Sequence, residues 1–338
     1  MKVFKNIIIC ITISLIIQIS GFFYLNSYFL ASNSAVRSQK VAVQSKKTSA
    51  PKINVPNNAK SINVSYNGNY VSYYLNDELY VVNTITGRSA NVSSSDGIKI
   101  SFYKWLPDRN RMLTAQTENS SLYLSYYDAD DAQKSNITDI LMNSSTSKVN
   151  DIEAAPLPNV IYIKVSNGIK NDSIYWVNIM KSIKKINTKT KNIGNIKVAT
   201  LEDKMVYEDL TNAKVYKTGI SNALNFYGSA KSCLLQMDNN DDVYIGDVNN
   251  NNNIDKIYFG TLKDDTSSWH TFQLSTQVSK DSLFITAGGK VYINDNLKGT
   301  VTELQSGKET AYKGTFLQLY GDGIASISHG ILVKTSFN

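Results

Sequence analysis

The feature that most constrains this 338-residue chain is a strand, turn and strand unit that recurs from residue 62 almost to the end. Its first copy runs from Ile62 to Ser93. Two period-2 apolar runs, Tyr70 to Leu75 and Leu79 to Val82, are joined by Asn76-Asp77-Glu78 and followed by Thr84-Ile85-Thr86-Gly87. Apolar alternation interrupted by short polar turns is the pattern of antiparallel hairpins. The second apolar run of each later unit supplies an internal ruler at Tyr80, Tyr123, Tyr175, Tyr216, Tyr244, Tyr292 and Leu332, in steps of 28 to 52 residues. Blades of a β-propeller repeat about every 40 to 50 residues. The expected fold is therefore all-β, a propeller over residues 59–338, with seven blades favoured and six left open by the short fourth step. The last unit is short of strands, which a ring allows if residues near Ile53 or Ile62 complete it. A sandwich of generic hairpins is the competing architecture.

Composition agrees with short strands and exposed turns: 21 Tyr against 3 Trp, with few Pro. The 2 cysteines, Cys10 in an apolar run and Cys233 in an expected strand, argue against an intrachain bridge or a cysteine metal cluster. The formal charge is +7, but eight of the 35 Lys and Arg residues precede residue 61, where no Asp or Glu occurs. The remaining 27 face 28 acids. A nearly neutral folded part argues against a nucleic-acid binder, whose basic stripe belongs on the domain itself.

Ahead of the repeats, Lys2 and Lys5 precede an uncharged run from Asn6 to Val36 whose apolar heart is Ile7 to Leu25. That length suits a membrane-crossing helix and exceeds the usual core of a cleaved signal. Residues 1–31 are expected to be a cytoplasmic head and single anchor, with the C-terminal part extracytoplasmic. Secretion after cleavage near Ala31 to Ala35 is the alternative. Residues 32–58, rich in Ser, Ala, Val, Gln, Lys and Pro, are expected to form a flexible basic linker, able to lie on anionic lipid or wall polymer.

Two segments, Tyr66-Asn-Gly-Asn-Tyr-Val-Ser-Tyr-Tyr and Trp105-Leu-Pro-Asp-Arg-Asn-Arg-Met-Leu, each followed by Leu-Tyr, resemble the W-S-P-D-G blades of the TolB-like and dipeptidyl-peptidase propellers. The resemblance implies that Pro107-Asp108 and Asn67-Gly68 join two blade strands. Some members of that family carry a serine hydrolase. No G-x-S-x-G elbow occurs here, so no such nucleophile is marked.

Few residues point to chemistry. His270 and His329 lie in different units with no metal-ligand spacing. Asp247, Asn249, Asn251 and Asp255 stand at positions 1, 3, 5 and 9 of a possible weak Ca2+ loop, where oxygen side chains would converge on a hard cation. The loop resembles the D-x-N-x-D-G-x-x-D loops of FG-GAP and dockerin-type repeats. Asn251 replaces the usual Asp and Asn252 the usual Gly; an Asn-rich hairpin is the plainer reading. The lysines from Lys181 to Lys197 suit a solvated hairpin, and the Asn-x-Ser/Thr triplets suit chance in an Asn-rich chain. The functional expectation is a membrane-anchored, non-enzymatic binding or scaffolding module for a protein or an anionic cell-envelope polymer. The alternative is an enzyme acting on envelope glycan or peptide through acids at the channel mouth: Asp96, Asp128, Asp130 or Asp131.

Overall fold

The computed structural model describes residues 2–25, 51–92, 99–118, 120–142 and 145–337. Asp96 and most of the expected linker, including Arg37, Lys40, Lys46 and Lys47, lie outside the described residues. The chain divides into two units, Met1–Ser49 and Ala50–Asn338.

In the first unit the helix Lys2–Tyr24 takes up the apolar run. Its segment Phe4–Tyr24, 21 residues with a mean hydropathy of 2.2, is long and apolar enough to cross a membrane. At about 1.5 Å per residue it reaches across the roughly 30 Å of a hydrocarbon core. A signal sequence meets the same test. Thr12 is accommodated in this run by donating its hydroxyl to the Ile8 carbonyl at 2.9 Å.

The second unit is a seven-bladed β-propeller. Its antiparallel sheets follow one another along the chain over residues 60–91, 100–141, 148–186, 193–217, 232–279, 283–311 and 315–336. The six-bladed alternative is thereby set aside. Within each blade the strands follow chain order outward, and first strands of successive blades lie beside one another around the axis. In every blade except the sixth, the pairing of first and second strands carries a register shift. Such bulges bend and twist a strand locally, here along the inner wall.

Alternation along the strands gives each sheet two apolar faces, and these meet at the seams. Seven buried clusters result, one between each pair of neighbouring blades. Leu122, Leu124, Ile152 and Ile163 fill the seam of blades 2 and 3, and Met205, Tyr207, Ile174 and Ile196 that of blades 3 and 4. No blade could bury both faces without its neighbours.

Blades 4 and 7 have three strands each. The outer side of blade 4 is covered by an irregular segment in which the Leu224 amide donates to the Val215 carbonyl at 2.8 Å. Phe226 from that segment stacks on Tyr258 at 4.4 Å. Blade 7 is completed from the other end of the ring. The Val55 amide donates to Gly330 O at 2.8 Å, the Leu332 amide donates to Ile53 O at 2.9 Å, and Asn54 bridges Ile331. Ile53 and Val55 are buried in the seam of blades 7 and 1. The ring thus begins at Ile53, inside the segment expected to be linker, because two β-branched residues have a waiting strand edge to cover.

One part of the sequence ruler is corrected. Tyr80, Tyr123, Tyr175, Tyr216 and Leu332 occupy third strands, but Tyr244 and Tyr292 occupy second strands. Successive hairpins of one blade share the same alternation, so the pattern cannot tell a second strand from a third. The short step of 28 residues is this slip, not a missing blade.

Candidate functional site: the two mouths of the central channel

Polar side chains on or beside the first strands bridge several seams along the inner wall. Gln318 of blade 7 accepts from the Val64 amide at 3.2 Å and donates to the Val64 carbonyl at 3.1 Å, replacing a missing strand neighbour. Tyr103 of blade 2 donates to the carbonyls of Ser61 and Ser72 in blade 1, and Asn195 of blade 4 donates to Leu234 O at 3.0 Å.

Charge gathers along blades 2 to 5. Lys104 pairs with Asp151 at 2.7 Å and Glu153 at 2.9 Å, and Lys197 reaches the same Glu153 at 2.6 Å. Burial opposes the charge on Lys104, but Glu153 and Asp151 outweigh it and hold its pKa above the ordinary lysine value. Asp151 is also disfavoured as an anion by burial, yet Lys104 and Lys197 leave it below the usual carboxylate range. Burial pushes Lys164 below its ordinary value, and its ammonium donates to Gly194 O at 2.6 Å. Lys280 meets both oxygens of the buried Glu208 at 2.8 Å, and that carboxylate also accepts the Asn195 amide at 3.0 Å. These contacts tie blades together and leave little of the wall's charge uncompensated.

The two ends of the channel differ in chemistry. At the end where first strands finish, a pocket of about 300 Å³ draws its walls from five blades. Tyr66, Trp105, Phe284 and Tyr320 contribute rings, Leu106 and Pro107 an apolar lip, and Gln236 a planar amide. Trp105 is held by stacking on Tyr70 at 6.3 Å and by donating its indole N–H to Ser72 Oγ at 2.8 Å. Tyr66 is the most accessible of the four, 37% exposed. The turns at this end carry Asp108, Glu202, Asp203, Asp238, Asp241 and Asp322 beside Arg109, Lys204 and Lys290. Several of these acids have structural roles: Asp241 accepts the Thr200 and Leu201 amides, Asp238 accepts those of Asn240 and Asp242, and Asp203 accepts from Tyr162 Oη and Trp176 Nε1.

The acids singled out from sequence lie elsewhere. Asp128, Asp130 and Asp131 sit at the turn between the third and fourth strands of blade 2, away from the inner strand. Asp128 pairs with Arg111 at 2.7 Å, which holds its pKa below the usual range, and Asp130 accepts from Tyr70 Oη and Asn110. Their expected place at the channel mouth is corrected, because strands step outward in chain order and a turn between the third and fourth strands falls in the outer half of the blade.

The Asn-rich loop is the hairpin joining the second and third strands of blade 5. Asn249 Oδ1 accepts the amides of Asn251 at 2.9 Å and Asn253 at 3.1 Å, and Asn252 takes a left-handed φ of 59°. Asp247 accepts from Ser229 Oγ at 2.8 Å and, with Tyr258 Oη 3.4 Å away, faces blade 5's third strand. Asp255 lies at a register shift between Ile254 and Lys256. Among the described residues no group of three or more His, Cys, Asp or Glu side chains is placed to hold a metal ion.

No protein family matches the chain by sequence, and no curated protein does. Solved structures resemble it in shape. The tricorn protease aligns at a TM-score of 0.52 and 9% identity, over 81% of this chain and 32% of that one. Hsv2p of Kluyveromyces lactis aligns at 0.48 and 12%, over 79% and 88%, and a chain of the mitotic checkpoint complex at 0.47 and 13%, over 85% and 78%. The likeness is one of fold alone.

Sequence reasoning did not find Phe284, Tyr320, Gln236 or Gln318. They come from three blades, Gln236 from blade 5, Phe284 from blade 6, and Gln318 and Tyr320 from blade 7, and share no local motif; only an alignment of inner strands would have brought them together.

Proposed function

We propose that this protein is a non-enzymatic binding module, held at a membrane by its N-terminal helix with the propeller outside the cytoplasm, that takes a protein or envelope-polymer ligand at the aromatic mouth. The observation carrying this reading is the convergence of Tyr66, Trp105, Phe284 and Tyr320 from blades 1, 2, 6 and 7 on one pocket of about 300 Å³. Ligand sites of this kind are concave and apolar, with a few placed polar groups that fix orientation. Rings offer large contact area at low entropic cost. Asp238 and Asp241 at this mouth hold backbone amides and Asp203 holds Tyr162 and Trp176, which suits a rigid frame. A distant kinship with TolB-like propellers fits the first two blades, and release by signal cleavage is the variant of this reading in which the helix is removed.

The test is crosslinking capture from intact cells with the full chain and with Tyr66→Ala. Tyr66 is exposed and its backbone bonds survive the change, so folding should hold. Capture of one species by the wild type, lost in the variant with an unchanged melting temperature, is the expected result. Equal capture by both would move the site elsewhere.

A further inference from the structure

The opposite mouth is built from the connections that lead into each first strand, and each of the seven brings a lysine there. Lys60 and Lys148 open the first strands of blades 1 and 3, while Lys99 and Lys231 immediately precede those of blades 2 and 5. Lys191 and Lys313 stand two residues before the first strands of blades 4 and 7, and Lys280 three before that of blade 6. Lys231 and Lys280 are half-buried and the other five exposed. Lys99 pairs with Asp77 and Lys280 with Glu208. Among the described residues the remaining five, Lys60, Lys148, Lys191, Lys231 and Lys313, have no carboxylate at ion-pair distance. Acids stand at this face too, mostly in the hairpins that join second and third strands: Asp172 accepts the Ile193 amide at 3.0 Å, Asp209 the Thr211 and Asn212 amides, Asp295 the Leu297 and Lys298 amides, Asp247 the Ser229 hydroxyl, and Glu78 Tyr80 Oη and the Asn91 side chain, while Glu118 ends the second strand of blade 2 and Asp281 follows Lys280.

We infer that this lysine rim binds a linear polyanion, independently of the aromatic mouth. Blade geometry places one cation per blade around a common axis, while many acids of the same face are tied to backbone amides, hydroxyls or lysines. Like charges on a fixed ring concentrate anions whose own charges repeat along a chain, since each further contact becomes intramolecular. Exposed ammonium groups are point charges without the planar fork of arginine. The rim should therefore respond to charge density along the polymer rather than to the shape of one group. Phosphate and carboxylate polymers share that chemistry, and the two arms of the test separate them.

The experiment measures binding of inorganic polyphosphate and of poly-glutamate to the full chain in detergent, from 50 to 200 mM salt. Three proteins are compared: wild type, a rim variant with Lys60, Lys148, Lys191, Lys231 and Lys313 changed to Gln, and a control with Arg88, Arg109, Lys181, Lys263 and Lys308 changed to Gln. The control removes the same charge from the other face, and the lysines preceding the ring are common to all three. Displaced counterions give a slope of about −0.7 per phosphate contact on a single strand. The rim variant should bind polyphosphate at least tenfold more weakly at 50 mM salt, with a log–log slope shallower by about 3. The control should stay within about threefold of wild type, and poly-glutamate should bind more weakly than polyphosphate. Equal losses in rim variant and control would reduce the effect to net charge and overturn the inference, as would wild-type binding insensitive to salt. If the fivefold variant melts early, Lys148→Glu with Lys313→Glu, both exposed, replaces it, and unchanged polyphosphate binding by that pair would also overturn the inference.

Discussion

Buried charge sets the residue-scale expectations. Glu208 is only 5% exposed and its carboxylate is shared by Lys280 and the Asn195 amide. Removing one partner of such a pair leaves the other uncompensated, so Glu208→Ala should cost about 3 to 5 kcal/mol in chemical denaturation. Asp151 adds a pH dependence whose sign is fixed by its neighbours. Its folded pKa is depressed, so its contribution is present above the unfolded value near 3.9 and is lost as pH falls through the lower folded value. Stability measured from pH 5 to pH 2 should therefore fall, and Asp151→Asn should flatten that fall while lowering stability at pH 7. The Asn-rich loop carries a smaller term. Asn249→Ala should cost about 1 kcal/mol by releasing two amides from its side chain. Weak calcium binding by Asp247, Asn249, Asn251 and Asp255 remains a proposal: it requires a small rise in melting temperature in millimolar calcium, absent in Asp247→Ala, and equal melting with chelator returns the loop to a plain hairpin.

At the scale of the element, hairpins were the most legible part of the sequence, because period-2 alternation and turn residues are local. Strand position within a blade was not, as Tyr244 and Tyr292 show: exposure to a neighbouring blade decides it, and that is a property of the ring. Aromatic residues at the ends of first strands were equally hidden. Lys60, grouped with the tail by sequence, opens the first strand of blade 1 and belongs to the ring. Glycine at 314 is an element-level requirement. Its φ is +86°, and a Cβ there would collide with the Ile327 carbonyl in the adjacent strand. Gly314→Ala should therefore lower the melting temperature by several degrees, with a cost of about 2 kcal/mol or more.

On the scale of the whole molecule, both mouths exist only if the ring closes, and closure rests on a short segment far from its partner in sequence. Ile53 and Val55 bury their side chains against Val64, Val71 and Leu332 while pairing with the last strand of blade 7. Full burial of such residues contributes about 1.5 to 3 kcal/mol each, before hydrogen bonds. Because every blade depends on two neighbours, the loss at this seam should spread around the ring. The direct measurement is calorimetry of the full chain against a version lacking residues 51–56. The account predicts one cooperative transition in the intact chain and, after the deletion, a melting temperature lower by about 10 °C or more with a broadened transition. The same melting temperature and the same single transition in both would contradict it.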